Sequence, residues 1–595
     1  MDSNTKPQED SDDEFEDASS QISSGESIDL NVALAEVNVA INLFFNNRFD
    51  EAKKLMQERC ETSMYHALGL STLLFLEASL TFEQAAIAKA ILSIKKAVQL
   101  NNRYRKKQNL TSSFTKILGF GDNNDFTDVE LHAEVVFAEL NLFRAALTFI
   151  QDENLISFIR GALKVRLCYQ TYNNCQKLID SKTLNCKNHA QDFIGAVLLG
   201  CGAFNIGLSL LPPKILSLLE WIGFTSDKKK GLQQLKDGFN NVNLRSSLIS
   251  LFILGYNLFV TVHVGTHDAD LEYVGIILPK MLEKFPNGVF FYLYAGRLEQ
   301  LKGNFEKAIG RLEKAATLQN DWKQFSHACY WELMWCHATL FKWQEAADYA
   351  DKLRKESNWS KCTYTYLQAV FLYMVDGNGL KHKEEIVALL KEMPSLKQRF
   401  AGKSIPMEKF LIRKARKYFE QQEYLLLPAH EMIYAWNGLV MLKQNKEIRD
   451  KHLQLIIQQQ NVLEEKKEKF SSNSADNNSK NDKGDAFNYY DDYCLLNLMK
   501  GACLRFDRQP MQAELCLSDI KENYKGINKD HYLAPAALAD LAWMCIEEGK
   551  FNEATAHLKY IRKTYSHYSM ESRIHFRIHA AQTKLNEISK PSFST

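Results

Sequence analysis

His327, Cys329, Cys336 and His337 fall within the single stretch SHACYWELMWCH, and all four carry side chains that bind zinc. A tetrahedral zinc site usually needs a close cysteine pair held on a loop. Here the two cysteines stand seven residues apart with no such pair, so the expected role is core packing beside Trp331 and Trp335. AGKS, at Ala401–Ser404, has the ending of a phosphate-binding loop, but Lys397 occupies the position where that pattern requires its first glycine. Around it lie Arg399, Lys403, Lys409, Arg413, Lys414, Arg416 and Lys417, several at i, i+4 spacing. Such a row attracts phosphate or carboxylate groups, although a charge run more commonly marks a solvated helix face. No Ser, His and Asp set, HExxH or paired-carboxylate motif stands out, and the chain is read as non-enzymatic, with no cofactor and no metal.

The elements that would position these residues are helices. The 595 residues are 46% hydrophobic and 24% charged, enough to bury more than one ordinary domain's core. With only 11 prolines and 27 glycines among long runs of Ala, Leu, Glu, Lys and Gln, helix is expected nearly throughout. Twelve cysteines without a CxxC pair, behind an acidic N-terminus that does not resemble a signal peptide, point to reduced thiols in the cytoplasm. The net charge of +1 supplies no field for a nucleic acid.

Residues 1–27 are expected to be a disordered acidic tail, since Glu9–Asp17 holds seven acids in nine positions and few apolar side chains accompany them. Residues 470–487, FSSNSADNNSKNDKGDAF, read as a flexible linker. It divides a helical repeat region over 28–469 from C-terminal helices over 488–588.

A short pattern recurs along the chain: NNRFDEAKKLM (Phe49, Ala52), KGNFEKAIGRLEKA (Gly303, Phe305, Ala308), LFKWQEAADYA (Trp343, Ala346) and EGKFNEATAHL (Gly549, Phe551, Ala554). In each, an aromatic precedes an alanine by three residues. Alanine at a helix crossing permits close approach, and the aromatic fills the mouth of the hairpin. Counting back from Phe305 reaches Gly296 and Tyr292 on the preceding helix, and from Phe551 it reaches Ala542 and Leu538. The pattern matches the start of the second helix in the tetratricopeptide repeat, a unit of about 34 residues. The aromatics at 305 and 343 are 38 apart, so those two units are expected to stack directly. The fold class is therefore all-α, a tetratricopeptide-like helical-hairpin solenoid.

Longer motifs carry a more specific resemblance. They are SMYHALG (Ser63–Gly69), AALTFIQDENLISFIRGALKVRLCYQTY (Ala145–Tyr172), GAFNIGLSLLPPKILSLLEWIGF (Gly202–Phe224), CYWELMWC (Cys329–Cys336), AGKSIPMEKFLIRKARKY (Ala401–Tyr418), DHYLAPAAL (Asp530–Leu538) and YSMESRIHFRIHAA (Tyr568–Ala581). In this order they resemble the tetratricopeptide repeat protein 39 family, in its B-type branch, to which the fungal inclusion body clearance protein is related. The resemblance implies an all-helical repeat protein without a described catalytic site. It also implies a connection with lipid homeostasis or with clearing protein aggregates.

Two uncharged stretches, Phe193–Pro213 and Ser246–His267, are long enough to span a bilayer, with Lys214, Lys228, Lys229, Lys230, Lys236 and Arg245 between them. Asn205, Asn257 and His263 weigh against a lipid setting, and helices buried in a solenoid's core are the favoured reading. A membrane or lipid-droplet association is the alternative. In the tail, Glu14, Phe15, Asp17 and Ala18 resemble the acidic-tract motif that binds endoplasmic-reticulum VAP receptors, with departures at Glu16 and Ser20. The competing reading is an ordinary solubilising tail. The expected activity is that of an adaptor, holding protein partners on a repeat surface in the cytoplasm, with recruitment to the endoplasmic reticulum or lipid droplets.

Overall fold

The computed structural model describes residues 29–81, 83–106, 126–151, 155–181, 189–211, 213–221, 223–266, 268–318, 321–400, 403–476 and 489–589. Glu14, Phe15, Asp17 and Ala18, Ala401 and Gly402, and residues 477–488 lie outside them.

The chain is all-α. It opens with α1 (Leu30–Phe45), α2 (Phe49–Glu58), α3 (Met64–Thr81), α4 (Gln84–Asn101), α5 (Asp128–Gln151) and α6 (Leu155–Asp180). The central apolar part follows as α7 (Ala190–Ser209), α8 (Pro213–Trp221), α9 (Lys228–Asn240), α10 (Ser246–Gly255), a π-turn at Tyr256–Val260, and α11 (Thr261–Val264). Regular hairpins come next: α12 (Leu271–Lys284), α13 (Val289–Leu301), α14 (Phe305–Thr317), α15 (Lys323–Thr339), α16 (Trp343–Glu356), α17 (Lys361–Met374) and α18 (Lys383–Glu392). The C-terminal part holds α19 (Pro406–Glu420), α20 (Pro428–Ala435), α21 (Lys446–Asp476), α22 (Tyr489–Phe506), α23 (Pro510–Glu522), α24 (Leu533–Glu547), α25 (Phe551–Thr564) and α26 (Glu571–Ser589). Among the described residues the only strands are β1 (Arg399–Phe400) and β2 (Lys403–Ser404), one small antiparallel pair.

The hairpin α13–α14 illustrates why these sequences fold as they do. Gly303 adopts φ +76°, the left-handed geometry that reverses the chain between the helices at no steric cost. On α14, Phe305, Ala308, Ile309, Leu312 and Ala315 form one buried stripe at helical spacing. A Cβ on Gly296 would stand 2.5 Å from Leu312 Cγ, so only glycine lets α13 cross α14 this closely. The next hairpin, α15–α16, stacks directly on it.

One hydrophobic core runs from Ala33 to Leu585 and therefore includes both sides of the 470–487 segment. That segment is not wholly a linker: α21 continues through Asp476. A smaller core lies between α5, α6 and α7, around Val135, Tyr172, Phe193 and Cys201.

Both central apolar segments pack within the fold. Each meets the length and composition of a membrane span, and 56% of each apolar window is buried inside the protein. Their polar groups find partners there: Asn257 donates to the Ile253 carbonyl (2.8 Å) and accepts from the Asp270 amide (2.7 Å), while His263 Nδ1 meets the Phe259 carbonyl (2.9 Å).

The N-terminal hairpin folds back across the chain. Phe44, Phe45 and Phe49 pack among Phe285, Phe290, Phe291, Trp322 and Phe325, with ring centroids 4.6–6.4 Å apart. Asn47 seals this join: its amide donates to the Asn287 carbonyl and accepts from the Val289 amide (3.2 Å).

Candidate functional site

The repeat residues are structural. Phe49, Ala52, Gly296, Phe305, Ala308, Trp343, Ala346 and Ala554 are buried, and Gly303 and Gly549 are both at φ +76°. Phe551 differs, being 39% exposed. The final helix, α26, lies mainly along α24, and so leaves the start of α25 less covered than the equivalent positions upstream.

The zinc-like quartet sits in the core of α15. Burial pushes the Cys329 and Cys336 thiols up to about 12, Gln300 donates to Cys336 Sγ (3.0 Å), and His337 stacks on Tyr349. Among the described residues no group of three His, Cys, Asp or Glu side chains is arranged to hold a metal.

The basic row does not make one patch, a correction to its linear reading. Arg399, Lys409, Arg413 and Arg416 are exposed, and Lys403 belongs to β2. Lys414 and Lys417, one turn apart on the inward-turned side of α19, are buried. Lys414 Nζ contacts Glu431 (2.5 Å) and Asp530 (2.8 Å), and Lys417 Nζ contacts Asp530 (2.7 Å) and Asp492 (3.7 Å). Asp491 prepares this nest by accepting the backbone amides of Asn528 (2.9 Å), Lys529 (2.9 Å) and Asp530 (2.7 Å). Burial raises the Asp530 carboxyl, but the two ammonium groups outweigh it and hold Asp530 well below the usual carboxylate range. For Asp492 burial wins over Lys417, and its carboxyl is pushed up to about 6. Glu431 is likewise raised by burial, against Lys414. The nest is a clasp between α19, α20 and the loop before α24, closed to any external anion.

Among the described residues, the openings include two that gather amide or arginine side chains. The first is a cleft of about 550 Å³ at the fold-back join, lined by Val39, Asn42, Leu43, Asn46, Asn47, Arg48, Asn287, Leu318 and Asp321. Asn42 and Asn46 donate to the carbonyls of Asn38 (2.9 Å) and Asn42 (3.0 Å) on their own helix. This fixes their amide planes and leaves the side-chain oxygens as acceptors.

The second is a cationic seam where α26 meets α20, α24 and the residues after the π-turn. Arg577 donates to Asp540 (2.5 Å) and Tyr434 (3.3 Å), and Asp540 also receives Tyr434 Oη (2.7 Å). Arg505 is shared between Asp540 (3.4 Å) and Glu547 (2.7 Å). Burial lowers the Arg577 pKa, and Asp540 more than reverses it. Arg573, one turn earlier, meets no carboxylate among the described residues: burial and then Arg577 pull it down to about 10. The signal for this seam was present in YSMESRIHFRIHAA as two arginines four residues apart, but their deficit of acids depends on α24 and α20.

The sequence model of Iml2/Tetratricopeptide repeat protein 39 matches residues 38–506. The Caenorhabditis elegans tetratricopeptide repeat protein ttc-39B is 35% identical over 577 residues, covering 96% of this chain and 95% of that protein. Among solved structures, yeast Tom70 aligns with 13% identity and a TM-score of 0.27, over 94% of this chain and 98% of its own. The TPR domain of P58(IPK) aligns with 14% identity and a TM-score of 0.15, over 65% and 99%. Family match and near-complete alignment to a relative agree: this chain belongs to the Iml2/tetratricopeptide repeat protein 39 family.

Proposed function

We propose that this protein is a non-catalytic adaptor that takes an extended segment of a partner protein into the amide-lined cleft of its N-terminal hairpin. The observation that carries the reading is the cleft itself. Its volume of about 550 Å³ suits a short peptide stretch, and its asparagine side-chain oxygens suit a peptide's backbone amides. Through its family resemblance the adaptor serves lipid homeostasis or the clearance of aggregated protein. Recruitment to the endoplasmic reticulum uses the tail around Phe15, and loss of reticulum proximity labelling in Phe15→Ala is the expected result.

Binding of a peptide library to the purified full chain tests the cleft. Val39→Trp, at an exposed cleft position, is expected to abolish capture of selected peptides while leaving thermal unfolding unchanged. Equal capture by this variant sinks the cleft as the binding site.

A second reading rests on the apolar helices, where Phe252 is exposed on a segment long enough to span a bilayer. Here the protein works at a membrane or lipid-droplet surface. Resistance to carbonate extraction supports this reading, and release favours the soluble adaptor.

A further inference from the structure

Arg573 is the one guanidinium of the seam that the surrounding acids leave unmatched. Of the three arginines gathered there, Arg505 is held in two-pronged fashion by Glu547, at 3.1 and 2.7 Å, and Arg577 is held by Asp540. Among the described residues no carboxylate reaches Arg573 within ion-pair distance, and its Nη2 is sealed from solvent without a hydrogen-bond partner. Arg577 Nε is sealed and unpartnered as well. Two donors on neighbouring turns of α26 thus lack acceptors in a region carrying an excess positive charge. A buried unpaired cation of this kind is strongly unfavourable unless an anion joins it.

The same residues line a cavity. Arg573, Ile574, Arg577 and Met570 from α26 and its approach face Ala435 and Tyr434 of α20, Ala536 of α24, and Asn437 and His263. It is small, about 20 Å³, and has room for a single compact ion or water. Two of its other polar groups are engaged: Asn437 Nδ2 donates to the Val262 carbonyl (2.6 Å), and the Tyr434 hydroxyl donates to Asp540. His263, its pKa lowered by burial and by Arg297, adds no charge. Partly apolar walls (Ala435, Ala536, Met570, Ile574) with two free guanidinium donors favour a weakly hydrated monovalent ion over a strongly hydrated or polyvalent one.

We propose that this cavity is a halide site, with Arg573 and Arg577 binding a single chloride ion that neutralises the surplus charge and secures α26 against α20 and α24. The site is separate from the peptide cleft and independent of the adaptor reading. It makes docking of the C-terminal helix dependent on chloride.

Thermal unfolding of the full chain at pH 7.5 tests the assignment, with sodium chloride exchanged for sodium gluconate at constant ionic strength. Chloride is expected to raise Tm saturably by roughly 1–3 °C over gluconate, an anion too large to enter. Arg573→Gln is expected to erase that difference. An unchanged chloride response in the variant, or equal Tm values for wild type in the two salts, overturns the proposal. Chloride-35 NMR of the wild type needs no variant: excess line-broadening that bromide displaces supports the site, and its absence means that only water occupies the cavity.

Discussion

Two pairs of buried cations, each one helical turn apart, have opposite surroundings. Lys414 and Lys417 on α19 meet Glu431, Asp492 and Asp530, more acids than bases, and burial pushes the surplus carboxyls towards their protonated forms. Arg573 and Arg577 on α26 share the neighbourhood of Arg505 with Asp540 and Glu547, fewer acids than bases. The first surplus can be eased within the protein, because a carboxyl takes up a proton as pH falls towards 6. The second cannot, because a guanidinium keeps its charge. A saturated nest is therefore a clasp, whereas an unsaturated seam is receptive to an anion. Helix α20 joins the two, with Glu431 on the nest and Tyr434 on the seam.

The largest test of this contrast is Asp530→Asn, which removes the one carboxylate that both lysines touch. A loss of about 3–5 kcal/mol is expected in urea denaturation, and a loss below about 1 kcal/mol breaks the description of the nest as a clasp. Asp540→Asn strips Arg577 of its carboxylate and is expected to lose about 2–3 kcal/mol by the same measurement, less because Arg577 keeps its hydrogen bond to Tyr434.

Asp492 gives the opposite sign. Its folded pKa of about 6 lies above the unfolded value, so the folded state keeps a proton that the unfolded state releases. The group's contribution is fully present below about pH 4 and falls away as pH rises towards 6. Asp492→Asn is expected to gain about 1–2 kcal/mol at pH 7.5 and to remove that decline from the profile of denaturation midpoint against pH. Arg573→Gln, measured in gluconate, is expected to gain about 1 kcal/mol, since it deletes an unmatched cation. Arg413→Ala, on the exposed face of α19, is expected to stay within about 0.5 kcal/mol, which sharpens the distinction between the two faces of that helix.

What the sequence displayed was local. Gly303, Phe305 and Ala308 announce a hairpin because a turn, a mouth and a crossing are set within about a dozen residues. The direction of Lys414 and Lys417 was not legible, because their acceptor Asp530 lies 116 and 113 residues downstream. The arginine seam and the cleft at Asn47 were hidden for the same reason, each being assembled from distant segments. Phe551 obeys the local pattern yet remains partly exposed, since its covering depends on where the last helix settles. The Asn- and Ser-rich stretch from 470 looked like a linker by composition, but its first residues continue α21 through Asp476.

The fold-back of the N-terminal hairpin also has a consequence for synthesis. Asn47 is separated from Asn287 by 240 residues, so α1 and α2 leave the ribosome long before their aromatic partners exist. At typical elongation rates that interval is about 10–50 s. Throughout it, Phe44, Phe45 and Phe49 have one another but not Phe285, Phe290, Phe291, Trp322 and Phe325, so the burial of this hairpin is completed only after residue 325 has emerged.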